Sequence, residues 1–301
     1  MASFTARAVS FVLRTTGFYK KLFAGGPDLE AKLLALRAQP IPAPTDKMRK
    51  KVSVSSVEFE GRTCWQIRPK EGTTKARVLY FHGGGYVYSA AAAHFDFFVH
   101  VAEKHGVSFI VPMYPLAPEA DAKGYSAFAL SLYRFLLTKH DASDIVIAGD
   151  SAGGGLAVTT ARLAQEAGLA APAGLVLICP WLDVAASDPE QPAIEKRDAI
   201  LTIQGIRDIG PLLAGDLSLN DPLVSPINAQ IASLPPTLMY GGGDDILVTD
   251  ARAFKAKHPD IDYREGAGLI HVWPIFFFPE SRKAQAEIAD FVKARCATET
   301  Q

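Results

Sequence analysis

Ser151 stands in the hexad Gly149-Asp150-Ser151-Ala152-Gly153-Gly154, between an apolar run ending at Ala148 and an amphipathic stretch beginning at Ala152. This is G-x-S-x-G in a strand, turn, helix setting. Such a turn holds the serine hydroxyl exposed in a strained conformation. Gly149 and Gly153 carry no Cβ, so the strand and the helix can approach closely. The helix N-terminus adds free N–H groups and a positive dipole end beside the hydroxyl. The competing reading is a glycine-rich helix start that packs and does nothing more.

His82-Gly83-Gly84-Gly85 follows the apolar run Arg77–Phe81 directly. Chance places such a tetrad in roughly one chain in 300, against roughly one in ten for G-x-S-x-G, so it is the stronger signal. Consecutive glycines let backbone N–H groups turn into a cavity and point at one spot. Acyl transfer puts negative charge on a carbonyl oxygen, and each fixed donor there contributes about 3–4 kcal/mol. A flexible surface loop is the blander alternative. A phosphate cradle is excluded because no Lys-Ser or Lys-Thr follows the glycines, and G-x-G-x-x-G spacing is absent.

A serine nucleophile needs a base, and the base needs an orienting acid. His94, His100 and His105 fall in a helical stretch at spacings that share no face, and read as surface or core residues. His140 and His258 end helical segments, where a cation suits the dipole. His82 belongs to the glycine tetrad and fixes its shape. That leaves His271, in Gly268-Leu269-Ile270-His271-Val272-Trp273, a late loop flanked by apolar residues. For the acid, Asp244 and Asp245 both follow the run Pro236–Tyr240 and three glycines. Adjacent residues cannot both point inward, so one of the two serves the loop instead. The order Ser151, Asp245, His271 is the Ser, Asp, His order of α/β-hydrolases.

These residues need a rigid frame. Short apolar runs at Arg77–Phe81, Val107–Pro112, Asp144–Ala148, Gly174–Cys179 and Pro236–Tyr240 read as strands buried on both faces. Helix-length amphipathic segments lie between them at Ala91–His105, Tyr125–Lys139 and Ala152–Ala167, and Ser281–Cys296 closes the chain. Alternating strand and helix define an α/β class with a doubly wound, mostly parallel sheet. Val52–Phe59 and Thr63–Pro69 form a hairpin before it, turning at Glu60-Gly61. Val184–Pro235 breaks the alternation, as an insertion at the carboxyl edge where such sheets bind ligands. At the N-terminus Phe4, Ala8, Phe11, Val12, Phe18, Leu22 and Phe23 recur at helical spacing as one apolar stripe. The expectation is a helix lying on the main domain or over a pocket, in preference to a targeting or membrane-surface role. The proline-rich Pro40–Pro44 is a stiff linker behind it.

The chain resembles the hormone-sensitive-lipase-like family of α/β-hydrolase-fold esterases. His82–Gly85 with Tyr86, Tyr114-Pro115-Leu116-Ala117-Pro118-Glu119, Gly149–Gly154 and Gly268–Trp273 carry the resemblance, from about Val52 onward. The family commonly has Arg where Pro115 stands. The resemblance implies Ser151 as nucleophile and His271 as base. It favours Asp245 over Asp244, because the family's acid precedes an x-Leu step and a further Asp, here Asp245-Ile246-Leu247 and Asp250. It implies backbone N–H donors from Gly84, Gly85 and Ala152. It implies a small helical cap built from residues 1–44 and from an insertion, 184–235, in a catalytic domain spanning 45–301. Three glycines in the oxyanion loop leave room for bulky alcohol groups in such enzymes. Tyr86, Phe95, Trp181 and Trp273 are candidate pocket lining, each equally explicable as core.

Composition bounds the rest. Of 301 residues, 49% are hydrophobic and 21% charged, which fits a globular chain and excludes wholesale disorder. Thirty-one basic against 32 acidic residues give a net charge of −1, so no general basic footprint for nucleic acid exists. Cys64, Cys179 and Cys296 are too few and too scattered for a disulfide framework, which suggests a reducing, cytoplasmic setting. No apolar run suits stable membrane insertion. The expected activity is hydrolysis of short- to medium-chain carboxylic esters, small molecules, through an acyl-enzyme, with no metal or organic cofactor. A lipase or amidase of the same fold, a catalytically silent binding member and a homodimer stay open.

Overall fold

The computed structural model describes residues 2–71 and 75–296. The outermost positions of the expected 1–44 and 45–301 spans therefore lie outside the described residues. The chain begins with α1 (Phe4–Thr16), α2 (Phe18–Leu22), α3 (Leu29–Arg37) and α4 (Asp46–Lys51). The hairpin β1 (Ser53–Phe59) and β2 (Arg62–Arg68) follows, closed by Glu60 and Gly61 at φ 48° and 71°. Then come β3 (Arg77–Phe81), α5 (Ala92–His105), β4 (Ser108–Pro112), α6 (Ala122–Leu137), β5 (Ile145–Asp150), α7 (Ala152–Glu166) and β6 (Gly174–Ile178). The insertion carries α8 (Gln191–Glu195) and α9 (Ile203–Ala214). The fold closes with β7 (Thr237–Gly242), α10 (Val248–Lys257), β8 (Asp262–Gly266) and α11 (Pro279–Cys296).

The strands form one sheet in the order β1-β2-β4-β3-β5-β6-β7-β8. β2 pairs antiparallel with β1 and with β4, and every later pair is parallel. All residues of β4, β5, β6 and β7 are buried, so helices cover both faces. This is why those segments read as unbroken apolar runs. β8 has no such run, because an edge strand need not bury both faces, and its Asp-Tyr-Arg-Glu-Gly gave no strand signal. Parallel strands put all their carboxyl ends on one edge, and the loops after β3, β5, β7 and β8 meet there.

The N-terminal stripe divides. Gly17, at φ 59°, breaks it between α1 and α2. α1 lies on the main body through Ala6 and Ser10, while Phe4, Phe11, Val12 and Phe18 face outward. Of the stripe expected to face the protein, Leu22 and Phe23 do so over the pocket described below, whereas on α1 Ala6 and Ser10 take that place. Pro40–Pro44 is not a free spacer, since the Pro42 carbonyl accepts from Trp65 Nε1 on β2 at 3.2 Å.

Candidate active site

β5 ends at Asp150, α7 begins at Ala152, and Ser151 is the whole connection. Its backbone sits at φ 53°, ψ −122°, a left-handed φ unusual for a residue with a side chain. Four backbone bonds hold it there: Ser151 N–H donates to the Ile178 carbonyl at 2.9 Å, and the Ser151 carbonyl accepts from Trp181 at 2.9 Å, from Gly154 at 3.0 Å and from Gly155 at 3.2 Å. α7 crosses so near the glycine tetrad that a Cβ on Gly153 would overlap the Phe81 carbonyl oxygen.

The structure brings Ser151, His271 and Asp245 together. Ser151 Oγ lies 2.9 Å from His271 Nε2, and His271 Nδ1 lies 2.8 Å from Asp245 Oδ2. A carboxylate only accepts, so Nδ1 carries the proton and Nε2 is left to accept from the serine hydroxyl. Asp245 is wholly buried, and its Oδ1 accepts from Leu247 N–H at 2.9 Å. Asp244 instead turns out to Arg197, at 3.1 Å. Burial works against an imidazolium at His271, but the Asp245 charge and hydrogen bond outweigh it. The charges of Asp198 and Asp150 act the same way, and the pKa stands above the ordinary histidine value.

Gly84 and Gly85 follow β3 at φ 121° and 63°, values open to glycine and strained for other residues. Their N–H groups, and that of Ala152 at the first position of α7, donate to no acceptor among the described residues. The neighbouring Gly83 N–H is committed to Asp150 Oδ1 at 2.9 Å.

Sequence reasoning missed the residues that hold this arrangement. Asp150 is buried and takes Tyr80 Oη at 2.9 Å, Gly83 N–H and His94 Nε2 at 3.2 Å, tying the glycine tetrad to the serine turn. Burial alone would raise its pKa; the facing His94 ring N–H and the other hydrogen bonds hold it below the ordinary value. His94 is thus neither a free surface residue nor plain core. Its Nδ1 also accepts from Ala91 N–H, capping α5. His82 stacks on Tyr114 at 4.5 Å, and its Nδ1–H donates to the Gly83 carbonyl. Burial pushes its pKa down to about 4, so it stays neutral.

Two further buried carboxyls brace the acid loop. Asp198 accepts from Ile200, Leu201 and Ile246, joining the insertion to the residue after Asp245. Burial and the nearby Asp245 charge push it up to about 6. Asp250 accepts from Leu182 and Asp183, and burial pushes it up to about 8. Asp198, after Glu195-Lys196-Arg197, gave no local signal, and Asp250 stood out only through the family resemblance.

A cavity of about 580 Å³ opens onto Ser151 and His271. Tyr19, Leu22, Phe23, Tyr88, Met113 and Phe276 supply much of its wall. A narrower one on the other side of Ser151 is lined by Trp181, Phe23, Gly85 and Ile206 of α9. Tyr86 and Trp273 line neither, contrary to expectation. Tyr86 stacks on Tyr125 at 4.3 Å, and Trp273 is buried against Tyr240 with Nε1 donating to the Gly241 carbonyl. Phe95 is likewise buried in neither wall. Aromatic type beside a motif does not reveal which way the ring points.

One group among the described residues converges closely enough for a metal: Cys179, Asp245 and His271 place donor atoms within 4.8 Å of one another. Burial holds the Cys179 thiol far above its ordinary pKa, so it is protonated and a poor ligand. The same Asp245 and His271 atoms already serve the hydrogen-bonded chain to Ser151.

A family profile described as alpha/beta hydrolase fold matches residues 78–275. An esterase of Acinetobacter venetianus is 30% identical over 249 residues, covering 80% of this chain and 82% of its own. A provisionally named acetyl-hydrolase, LipR, of Mycobacterium tuberculosis is 31% identical over 264 residues, covering 85% and 83%. A crystal structure of an esterase from the bacterial hormone-sensitive lipase family superposes with a TM-score of 0.83 at 27% identity, covering 98% of this chain and all of that one. The chain belongs to the alpha/beta hydrolase fold family, in its hormone-sensitive-lipase-like branch, as its motifs implied.

The His271 geometry has a direct readout. In an NMR titration the His271 ring protonates with a midpoint above about 6.5, the unperturbed value. Asp245→Asn lowers that midpoint. A midpoint below 6.5 in the unaltered protein contradicts the pairing.

Proposed function

We propose that this chain is a serine carboxylesterase in which Ser151 is the nucleophile, His271 the base and Asp245 the acid. The observation that carries this is the unbroken hydrogen-bonded series from Ser151 Oγ through the imidazole to Asp245, beside three uncommitted backbone N–H groups. The ester carbonyl oxygen lies toward Gly84, Gly85 and Ala152. Ser151 Oγ attacks the carbonyl carbon while its proton passes to His271 Nε2. Asp245 stabilises the imidazolium and keeps the ring in its productive tautomer. The tetrahedral oxyanion collapses, the ester C–O bond breaks, and the imidazolium protonates the departing alkoxide. Water then gives its proton to Nε2, attacks the acyl carbon and releases the acid, restoring Ser151.

Residues 1–44 and 184–235 form the cap of this enzyme, over a catalytic domain of the remaining chain. Three contacts support the assignment. Lys20 Nζ donates to the Glu195 carbonyl, the Phe23 carbonyl abuts Gly205, and Phe23 joins α9 in walling the smaller cavity. A cavity near 580 Å³ lies within the range of roughly 300–1,000 Å³ that holds a small molecule, so we assign short- to medium-chain acyl groups.

Ser151→Ala abolishes turnover of p-nitrophenyl butyrate with an unchanged circular dichroism spectrum; retained turnover removes the nucleophile. Asp245→Asn lowers kcat by about 10⁴. Asp244→Asn, which only loosens an exposed pair with Arg197, leaves kcat within a few-fold. The reverse ranking overturns the assignment of the acid. Across p-nitrophenyl esters, kcat/KM peaks between acetate and octanoate and falls for palmitate; a maximum at palmitate replaces the carboxylesterase reading with a lipase.

A further inference from the structure

Helix α1 has two apolar faces and uses one. Ala6 and Ser10, with the partly buried Val9 and Leu13, face the protein. The helix is fastened to α11 at its start, where Ser3 Oγ donates to Glu280 Oε2 at 2.8 Å and Ser3 N–H to Oε1. It therefore cannot roll to hide its other side. That side carries Phe4 and Phe11, 79% and 60% exposed, with Val12 between the two faces at 53%. Seven residues drift only about 20° around a helix, so the two rings stand in line. Phe18, the first residue beyond Gly17, is 61% exposed. Large apolar residues scattered singly are ordinary, but a file of them along one helix face marks a contact surface.

The charged side chains carried by α1 and α2 are of one sign, and the carboxylate nearest their start, Glu280, is taken up by Ser3. Arg7 and Arg14 stand three residues after Phe4 and Phe11, and Lys20 and Lys21 follow; Asp28 is the first acid in the sequence. The whole chain is within one charge of neutral, so the asymmetry is local. Among the described residues Arg7, Arg14 and Lys21 pair with no carboxylate. A second copy docking through a two-fold axis would set this patch against itself, cation on cation. An anionic surface has no such conflict.

We propose that α1 and α2 dock this protein on an anionic lipid surface, with Phe4, Phe11 and Phe18 entering the acyl boundary and the basic side chains meeting headgroups. α1 has 13 residues, about 20 Å at 1.5 Å each, and no helix among the described residues is long and apolar enough to cross a membrane. It lies on the surface instead. The placement goes beyond the esterase reading and has a use for it. The chain runs from the exposed Phe18 straight into Tyr19, Leu22 and Phe23, which line the larger cavity. On the far wall Phe276 lines it while Phe277 is exposed.

The test is flotation of the full chain with vesicles of phosphatidylcholine alone or mixed with phosphatidylglycerol, at low and high salt, beside light scattering in buffer. The unaltered protein floats with the mixed vesicles, is released by salt, and stays behind with phosphatidylcholine. F4S/F11S/F18S abolishes flotation. R7Q/R14Q requires roughly 30-fold more lipid, the equivalent of two charges at about 1 kcal/mol each. Both variants keep turnover of soluble p-nitrophenyl acetate within a few-fold, since none of these residues lines either cavity at Ser151, and this separates docking from catalysis. No flotation of the unaltered protein, or flotation of the triple serine variant equal to it, overturns the proposal. So does a dimer in buffer that the triple serine variant converts to monomer while vesicles go unbound, which would assign the face to a second copy.

Discussion

Asp245 has no surface exposed to solvent, yet it sits 2.8 Å from an imidazole and, among the described residues, forms no ion pair with a lysine or arginine. A buried carboxylate is tolerable only when its oxygens are occupied by donors. One oxygen takes Leu247 N–H and the other takes the His271 ring. The rest of the sheet edge is arranged to keep that second donor in place. The loop after β8 must deliver a histidine to the end of β7, and the ring must then present its free nitrogen to the end of β5. Loss of either partner strands the other in a low dielectric, so the pair is held jointly or not at all.

The serine turn imposes the complementary demand, closeness. A left-handed serine between a fully buried strand and a helix survives because hydrogen bonds to β6 and the loop after it fix it on two sides. Asp150 then links this turn to the glycine tetrad, so Ser151 and the tetrad's backbone are tied together. Residues outside the hydrogen-bonded series, some of them in the cavity wall, therefore govern distances inside it. Neutral His82, stacked on Tyr114, and His94, bonded to Asp150, belong to that scaffold.

Much of this was legible in the chain. The parallel strands announced themselves because burial on both faces leaves uninterrupted apolar runs. Ser151 and the glycine tetrad stood out because tight turns restrict composition. His271 emerged because five other histidines fell in helices or at their ends and His82 belonged to the glycine tetrad. Asp245 was separable from Asp244 only by resemblance, since a single residue decides which carboxyl faces inward and no periodicity reports that. Three things were hidden. β8 is an edge strand with no apolar run. The N-terminal stripe gave the right periodicity, but which face docks depends on α11, nearly the whole chain away. Tyr86 and Trp273 were read as wall and are core, because ring direction is settled by neighbours such as Tyr125 and Tyr240 that local sequence does not name.

The larger cavity takes much of its wall from Tyr19, Leu22, Phe23 and the stretch from Leu36 to Pro42, whereas the reacting groups come from residues 82 to 271. A good part of the cavity's shape is thus written ahead of the residues of the hydrogen-bonded series, with Tyr88, Met113 and Phe276 completing it. Substitutions, insertions or whole replacements in the first forty or so codons can redraw what fits without disturbing the hydrogen bonds that do the chemistry. A scaffold divided this way can change what it admits at one end while the packing at the other stays as it is.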